Sequence, residues 1–244
     1  MPRFFISPDS ISDGNAYITG DDARHIARSL RMAVGDGVEI SDRVGTDYVA
    51  RLTRIRDDEC IAEIVESHPS DKESPVKITL YMAMPKGDKL EQVTQKAVEL
   101  GALRIIPFES ERCIKRPAQD KIAKITDRLN RIATEAAKQC GRSRLPEVLP
   151  MVRLADILPE IKDYTMALFC YEGERAVSIK QALEGKRGVE SIAVIVGAEG
   201  GFSDSEAKAL TEAGAMSVTL GRRILRCETA PDYALAAISY ALEL

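Results

Sequence analysis

The chain contains no tryptophan and only two histidines, His25 and His68. A histidine-rich metal site or a Ser-His-Asp triad is hard to build from so few, so no metal is expected. The five cysteines, at positions 60, 113, 140, 170 and 227, include no C-x-x-C pair. Odd in number and widely spaced, they read as reduced thiols of a cytosolic protein. No apolar run approaches the ~20 residues that span a bilayer. The opening MPRFFISPDS lacks a basic region followed by a long apolar run, so neither a membrane partner nor a signal peptide is expected. A cytoplasmic location follows as the expectation.

An overall surplus of positive charge is also missing. The 34 basic and 38 acidic side chains give a formal charge of −4. Their distribution says more than their total. Residues 1–72 carry net −5, residues 73–150 net +5 and residues 151–244 net −4. The surplus is densest from Arg112 to Arg144, where ten basic residues face only Asp120, Asp127 and Glu135. A near-neutral average thus conceals a basic segment.

At 244 residues the chain can bury a real core and is expected to hold two domains. The first 66 residues contain short strand-like runs, AYITG, GVEIS, DYVARLTRI and CIAEIVES, punctuated by glycines. One helix, DDARHIARSLRMA, interrupts them, with Asp21 or Asp22 suited to its cap. A small β-barrel with one helix is the natural reading, and the polar stretch SHPSDKESP, 67–75, is the expected linker. Beyond it strands alternate with helices: VKITLYMAM, then KLEQVTQKAVELGA ended by Gly101, LRIIPF, a long helix over roughly 118–140, TMALFCY, SIKQALEG, SIAVIV, SDSEAKALTEAG, MSVTL and a last helix APDYALAAISYALEL. Strands apolar throughout and separated by helices indicate an α/β fold with a mostly parallel sheet covered on both faces.

In such sheets ligands bind in the loops beyond the carboxyl ends of strands. Two of these loops stand out. GAEGGFSDSE, 197–206, places Gly197, Gly200 and Gly201 around Glu199 directly after an apolar strand. Glycines there permit positive φ and close approach of a ligand to main chain. Ser203 and Glu206 have capping-box spacing and set the start of the next helix. The stretch fits neither a P-loop nor a dinucleotide fingerprint, so a phosphate cradle is not expected. The second loop, LGRRILRCETAP, packs Arg222, Arg223 and Arg226 between a strand and Thr229, which is placed to cap the last helix. Ile224 and Leu225 should turn inward and hold Arg226 at the base of the loop.

VGAEGGFSDSE followed by LGRRILRCETA resembles the paired signature of the RsmE-type 16S rRNA (uracil-N3)-methyltransferases of the SPOUT superfamily. The resemblance extends through PKGDKLEQVTQKAVELGALRIIPFESERC, RIATEAAKQCGRSRLPEV and HIARSLRMAVGD, nearly the whole chain. Ala198 stands where the family usually has proline, and Cys227 where it often has threonine. The resemblance implies a PUA-like β-barrel for RNA recognition over 1–70 and a SPOUT methyltransferase domain with a trefoil knot over 71–244. It also implies a homodimer, S-adenosyl-L-methionine as methyl donor, and 16S rRNA of the small ribosomal subunit as substrate. Carried over residue by residue, Gly197, Glu199, Gly200 and Gly201 form the first cofactor loop. Leu220, Gly221, Ile224 and Leu225 form the second, with Cys170 and Tyr171 at a third strand end; Thr229 is also assigned to the cofactor. Arg226 and Glu228 face the reacting uracil, with Thr229 beside them.

The chemistry suits these residue types. The donor is already activated, so alignment is the main task. The N3 proton of uracil must leave, to Glu228, to Glu199 or to solvent, while Arg226 stabilises negative charge on the uracil oxygens. Glu199 is equally suited to bonding loop N–H groups. For RNA, Lys121, Lys124, Arg128, Arg131 and Lys138 recur along one stripe of the long helix, and Arg24, Arg28 and Arg31 share a face of the N-terminal helix. Other readings are a ribose 2′-O methyltransferase of the same superfamily, a catalytically inactive RNA-binding protein, and a metabolic α/β enzyme binding another adenosine ligand.

Overall fold

The computed structural model describes residues 1–114 and 116–244. It divides into two units, Met1–Glu73 with Ala137–Leu145, and Ser74–Ala136 with Pro146–Leu244. The first unit contains β1 (Arg3–Phe5), β2 (Ile11–Ser12), β3 (Asn15–Thr19), α1 (Gly20–Arg24), β4 (Gly37–Ser41), β5 (Thr46–Ile55) and β6 (Glu59–Pro69). The strands form one sheet in the order β1-β4-β5-β6-β3-β2, antiparallel except for β1 beside β4. Alternate residues, including Ile18, Val38, Ile40, Leu52 and Ala62, point to a single core that Ala23 and Ile26 complete from the helix. This is the period-two pattern of a sheet with one wet face.

Three local expectations are corrected here. Residues Ser67–Pro69 of the expected linker finish β6 and pair with Thr46–Tyr48, because the ladder satisfies their backbone whatever the side chains. The helix begins at Gly20 behind Thr19 and takes no side-chain cap, so neither Asp21 nor Asp22 caps it. It also ends early, widening to a π-type turn over His25–Ser29. Arg31 lies past it at φ +50 and does not share a helix face with Arg24 and Arg28.

The second unit contains β7 (Lys77–Ala83), α2 (Lys89–Glu99), β8 (Ala102–Glu109), α3 (Gln119–Cys140), β9 (Glu147–Val148), β10 (Val152–Arg153), α4 (Leu154–Ile157), β11 (Met166–Cys170), α5 (Ile179–Leu183), β12 (Ser191–Val196), α6 (Asp204–Glu212), β13 (Met216–Val218) and α7 (Thr229–Leu242). The last residues of α3, from Ala137, cluster with the first unit. The strand order is β10-β8-β7-β12-β11-β13 with β9 on β8, and every pairing is parallel. The central strands are buried nearly end to end, five of six residues in β12 and six of seven in β7. Gly101 ends α2 at φ +89, the left-handed conformation that a helix C-terminus favours. Among the described residues, no helix is long and apolar enough to cross a membrane.

Residues 137–145 join the first unit through a buried ion pair. Arg142 reaches Glu73 Oε2 at 2.8 Å, and Glu73 Oε1 accepts the N–H groups of Ser143 and Arg144 at 2.9 Å each. Arg3 Nε donates to the Arg142 carbonyl at 3.1 Å. Burial pushes the Glu73 carboxyl up, but the guanidinium and the two N–H groups outweigh it and hold its pKa below the ordinary value. Its contribution to stability is therefore present above the ordinary glutamate pKa of ~4.3 and fades as pH falls through the depressed one. Arg142→Ala strands the carboxylate and should cost about 3–5 kcal/mol at neutral pH in denaturant unfolding. The difference between wild type and Glu73→Gln should shrink as the medium is acidified through that range.

Candidate active site

The parallel order β7-β12-β11-β13 brings four consecutive carboxyl ends to one edge of the sheet. A cavity of about 530 Å³ opens beyond them, within the size range of small-molecule sites. Its walls come from Cys170 and Tyr171 after β11, Gly197 to Gly201 after β12, and Thr219 to Cys227 after β13. The three strand ends expected to converge do so.

The glycines owe their bareness partly to the protein's own packing. A Cβ on Gly200 would lie 2.8 Å from Arg112 Cβ, and one on Gly201 would run into the Glu172 carboxylate. Gly201 also sits at φ +62, where its N–H closes a turn onto Ala198 at 3.0 Å. Arg112 Nη1 donates to the Gly200 carbonyl at 3.0 Å. The loop is thus braced from behind before any ligand is considered. Its exit is the expected capping box, Ser203 with Glu206. Glu206 also accepts the Glu111 N–H at 2.7 Å, fastening the loop after β8 to the start of α6.

The loop after β13 departs from expectation at two points. Ile224 is 83% exposed. It lines the open cavity instead of entering the core, and only Leu225 is half-buried. Thr229 is the first residue of α7 rather than its cap; Glu228 precedes it in helical conformation and makes no capping bond. The start is closed by main chain, since the N–H groups of Thr229 and Ala230 both donate to the Arg226 carbonyl, at 2.9 and 3.0 Å. Neither Glu228 nor Thr229 lies on the cavity wall, whereas Arg226 does. Among the described residues, the side chains of Arg222, Arg223 and Arg226 are exposed and make no ion pair.

Sequence reasoning missed Lys89, the first residue of α2, which also lines the cavity. Its ammonium lies 2.9 Å from Glu199 Oε1 and 3.1 Å from Glu228 Oε2. It also points at Cys227 Sγ, 3.6 Å away. Glu199 and Glu228 raise the Lys89 pKa, Glu199 more strongly. Burial pushes Glu199 up, yet Lys89 and the Lys86 N–H, 3.2 Å from Oε1, outweigh it and lower its pKa. Glu228 is lowered by its own backbone N–H first, against burial, and then by the Cys227 thiol and Lys89. Burial, followed by the bond to Glu228, pushes the Cys227 thiol up to about 12, and burial alone does the same for Cys170. Neither thiol is a nucleophile at neutral pH. Lys89 was legible in principle, because PKGDK follows β7 as the glycine loop follows β12.

The basic stripe of α3 is partly spoken for. Lys121, Lys124, Arg128 and Arg131 are exposed, but Arg128 pairs with Glu91 at 2.7 Å. Lys138 pairs with Asp22 at 3.1 Å. In the first unit Arg24 is held by Asp21 and Arg28 by Asp57.

Comparison with known proteins accords with this geometry. The family profile for an RNA methyltransferase domain matches residues 72–239, and that for an RNA methyltransferase PUA domain matches residues 18–65. The chain is 34% identical to ribosomal RNA small subunit methyltransferase E of Bacillus subtilis, over 100% of this chain and 98% of that protein. A crystal structure of the methyltransferase E of Neisseria gonorrhoeae bound to S-adenosyl methionine matches with a TM-score of 0.86 and 34% identity, covering 98% of this chain and 97% of the other. A Legionella pneumophila protein in complex with the same cofactor matches with a TM-score of 0.85 and 29% identity, over 98% of this chain and 97% of that one. With a PUA-like unit, a parallel-sheet unit whose strand ends carry both signature loops, and full-length relatives of one kind, this chain belongs to the family of ribosomal RNA small subunit methyltransferase E.

Proposed function

We propose that this protein transfers the methyl group of S-adenosyl-L-methionine to N3 of a uridine in 16S rRNA of the small ribosomal subunit. The observation that carries the reading is the cavity bounded by the glycine loop and the 219–227 loop. It fits the donor: Gly197, Gly200 and Gly201 put no side chain on its wall and let a nucleoside lie against main chain, and Leu220, Ile224 and Leu225 offer apolar surface to a base. The relatives' names and the bound cofactor in the Neisseria gonorrhoeae protein support it.

When bound, the donor supplies a methyl group already activated on a sulfonium. The protein's task is to place uracil N3 in line with that methyl and to manage charge. Arg226, exposed on the cavity wall, stabilises negative charge on the uracil oxygens. A carboxylate held by Lys89, Glu199 on the cavity wall or Glu228 beside it, accepts the N3 proton as the methyl bond forms, and water carries it away. A carboxylate is a weak base for this proton at rest. Arg226 removes that objection, because it stabilises the negative charge that reaches the uracil oxygens as the proton leaves. Glu199, fixed by Lys86 and Lys89, holds the first loop.

Residues 1–70 form the RNA-recognition domain in this reading, and 71–244 the SPOUT domain. The trefoil knot is supported by the family resemblance. A homodimer is supported by the family resemblance and by Tyr233 and Tyr240, large side chains exposed on α7. The cytoplasm, where ribosomal RNA is found, is the location this activity needs. RNA phosphates are met by Lys121, Lys124 and Arg131 on α3 and, separately, by Arg31 of the first unit.

Nucleoside mass spectrometry of 16S rRNA from a deletion strain tests the reading: 3-methyluridine should vanish and return with the gene. Loss of a 2′-O-methylated nucleoside instead would support the ribose reading. Arg226→Ala should lower turnover ~10²-fold while leaving donor affinity nearly unchanged in calorimetry. Equal losses in both would reassign Arg226 to structure. Changing Lys121, Lys124 and Arg131 to Glu, with Arg128 left on Glu91, should weaken rRNA binding and leave donor affinity intact. Every phosphate that is no longer neutralised should flatten the slope of log K against log salt by about 0.7 to 0.9. A wild-type slope would mean these side chains are merely solvated.

A further inference from the structure

Lys89 has no part in the chemistry described above, yet it occupies an unusual place. A cation at the first position of a helix opposes the positive end of the helix dipole. Its location therefore serves something other than α2. All three of its N–H donors have partners, Glu199 Oε1, Glu228 Oε2 and Cys227 Sγ. These partners come from two different strand-end loops, while Lys89 itself follows β7. Lys89 is 32% exposed and the two carboxylates 27% and 20%, so the cluster is partly shielded from water.

Resting on the methyltransferase reading, we infer that Lys89 is a positioning residue: its ammonium bridges Glu199 to Glu228, joins the glycine loop to the start of α7, and keeps both carboxylates ionised for the uracil. Without the bridge two carboxylates would share a partly desolvated site, and one of them would hold its proton to a higher pH. A protonated carboxyl can no longer accept the N3 proton, and a released Glu199 no longer fixes the first loop. An ionised carboxylate also discriminates bases. It accepts the N–H that uracil presents at N3 and repels the lone pair that cytosine presents there.

Every charged neighbour of the cluster bears on its titration. α2 contributes Lys89 and also Lys96, whose charge feels Glu228 and which pairs with Asp232 of α7 at 2.9 Å. The loop after β12 contributes Glu199, and the turn into α7 contributes Glu228 and the Cys227 thiol. The loop after β7 contributes the Lys86 N–H on Glu199. Arg226 lines the same cavity. Because Lys96 already has Asp232, Lys89 is the cation that contacts both glutamates.

The experiment is carbon-13 NMR titration of the glutamate side-chain carboxyls in the full-length protein, beside pH–rate profiles of methyl transfer to small ribosomal subunits. In wild type both Glu199 and Glu228 should titrate below the ordinary glutamate value. In Lys89→Met at least one midpoint should rise by about one unit or more, and the acid limb of kcat should rise with it. Lys89→Arg, which keeps the charge, should leave the midpoints near wild type and restore part of the rate. Unchanged midpoints and an unchanged acid limb in Lys89→Met would overturn the proposal, as would wild-type midpoints at ordinary values. The wild-type and Lys89→Arg titrations decide the matter even should Lys89→Met fold poorly. Absence of methyl transfer by wild type would instead refute the methyltransferase reading, leaving the titrations to judge the bridge alone.

Discussion

Four parallel strands, β7, β12, β11 and β13, lie side by side and end on the same edge of the sheet. Everything at the site depends on that. Parallel strands need long return connections, so each carboxyl end is followed by a loop free to carry function. Because the neighbours in space are not neighbours in sequence, residues 86–89, 170–172, 197–201 and 219–227 meet although they span much of the chain. The burial of β7 and β12 on both faces makes this edge rigid. The loops can therefore be irregular without being loose. Arg112 and Glu206 brace the glycine loop, and its glycines put no side chain on the cavity wall.

Charge at this edge is sorted into paired and unpaired groups. Glu199 and Glu228 both pair with Lys89, whereas among the described residues the side chains of Arg222, Arg223 and Arg226 make no ion pair. The same sorting runs through the basic helix, where Arg128 is held by Glu91 while Lys121 and Lys124 make no ion pair among the described residues. Exposed cations with an intramolecular partner gain little from that pair, but they have less to offer a phosphate. Partner-free cations are the ones an anionic ligand would meet at full charge. Counting basic residues along the sequence cannot separate these two populations.

Much of the second unit was legible because its strands are continuous apolar runs and its helices carry their own signals. The Ser203–Glu206 box and Gly101 were read in place. The glycine loop and the arginine loop were legible as strand-end loops, and the structure brings them together around one cavity. What failed was anything that depends on neighbours distant in sequence. Ile224 is apolar, so an inward turn was expected, but the loop rides over an open cavity. Thr229 has the right chemistry for a cap, but a main-chain turn at Arg226 closes the helix first. Arg31 sits at helical spacing from Arg28, but the helix has already ended. Short strands such as β1, β9 and β10 have too few residues to show a period. Lys89 looks like any solvent-facing lysine at a helix start until Glu199 and Glu228 are placed around it.

The central claim is that the cavity at these strand ends holds the methyl donor against main chain, and it is tested most directly by a crystal structure of the protein soaked with S-adenosylhomocysteine, the donor stripped of its methyl. The account predicts the ligand in the cavity, its nucleoside against the main chain of Gly197–Gly201 and Leu220–Leu225, with Arg226 left free beside it. Density for the ligand at any other place, or an empty cavity at saturating concentration, would contradict it.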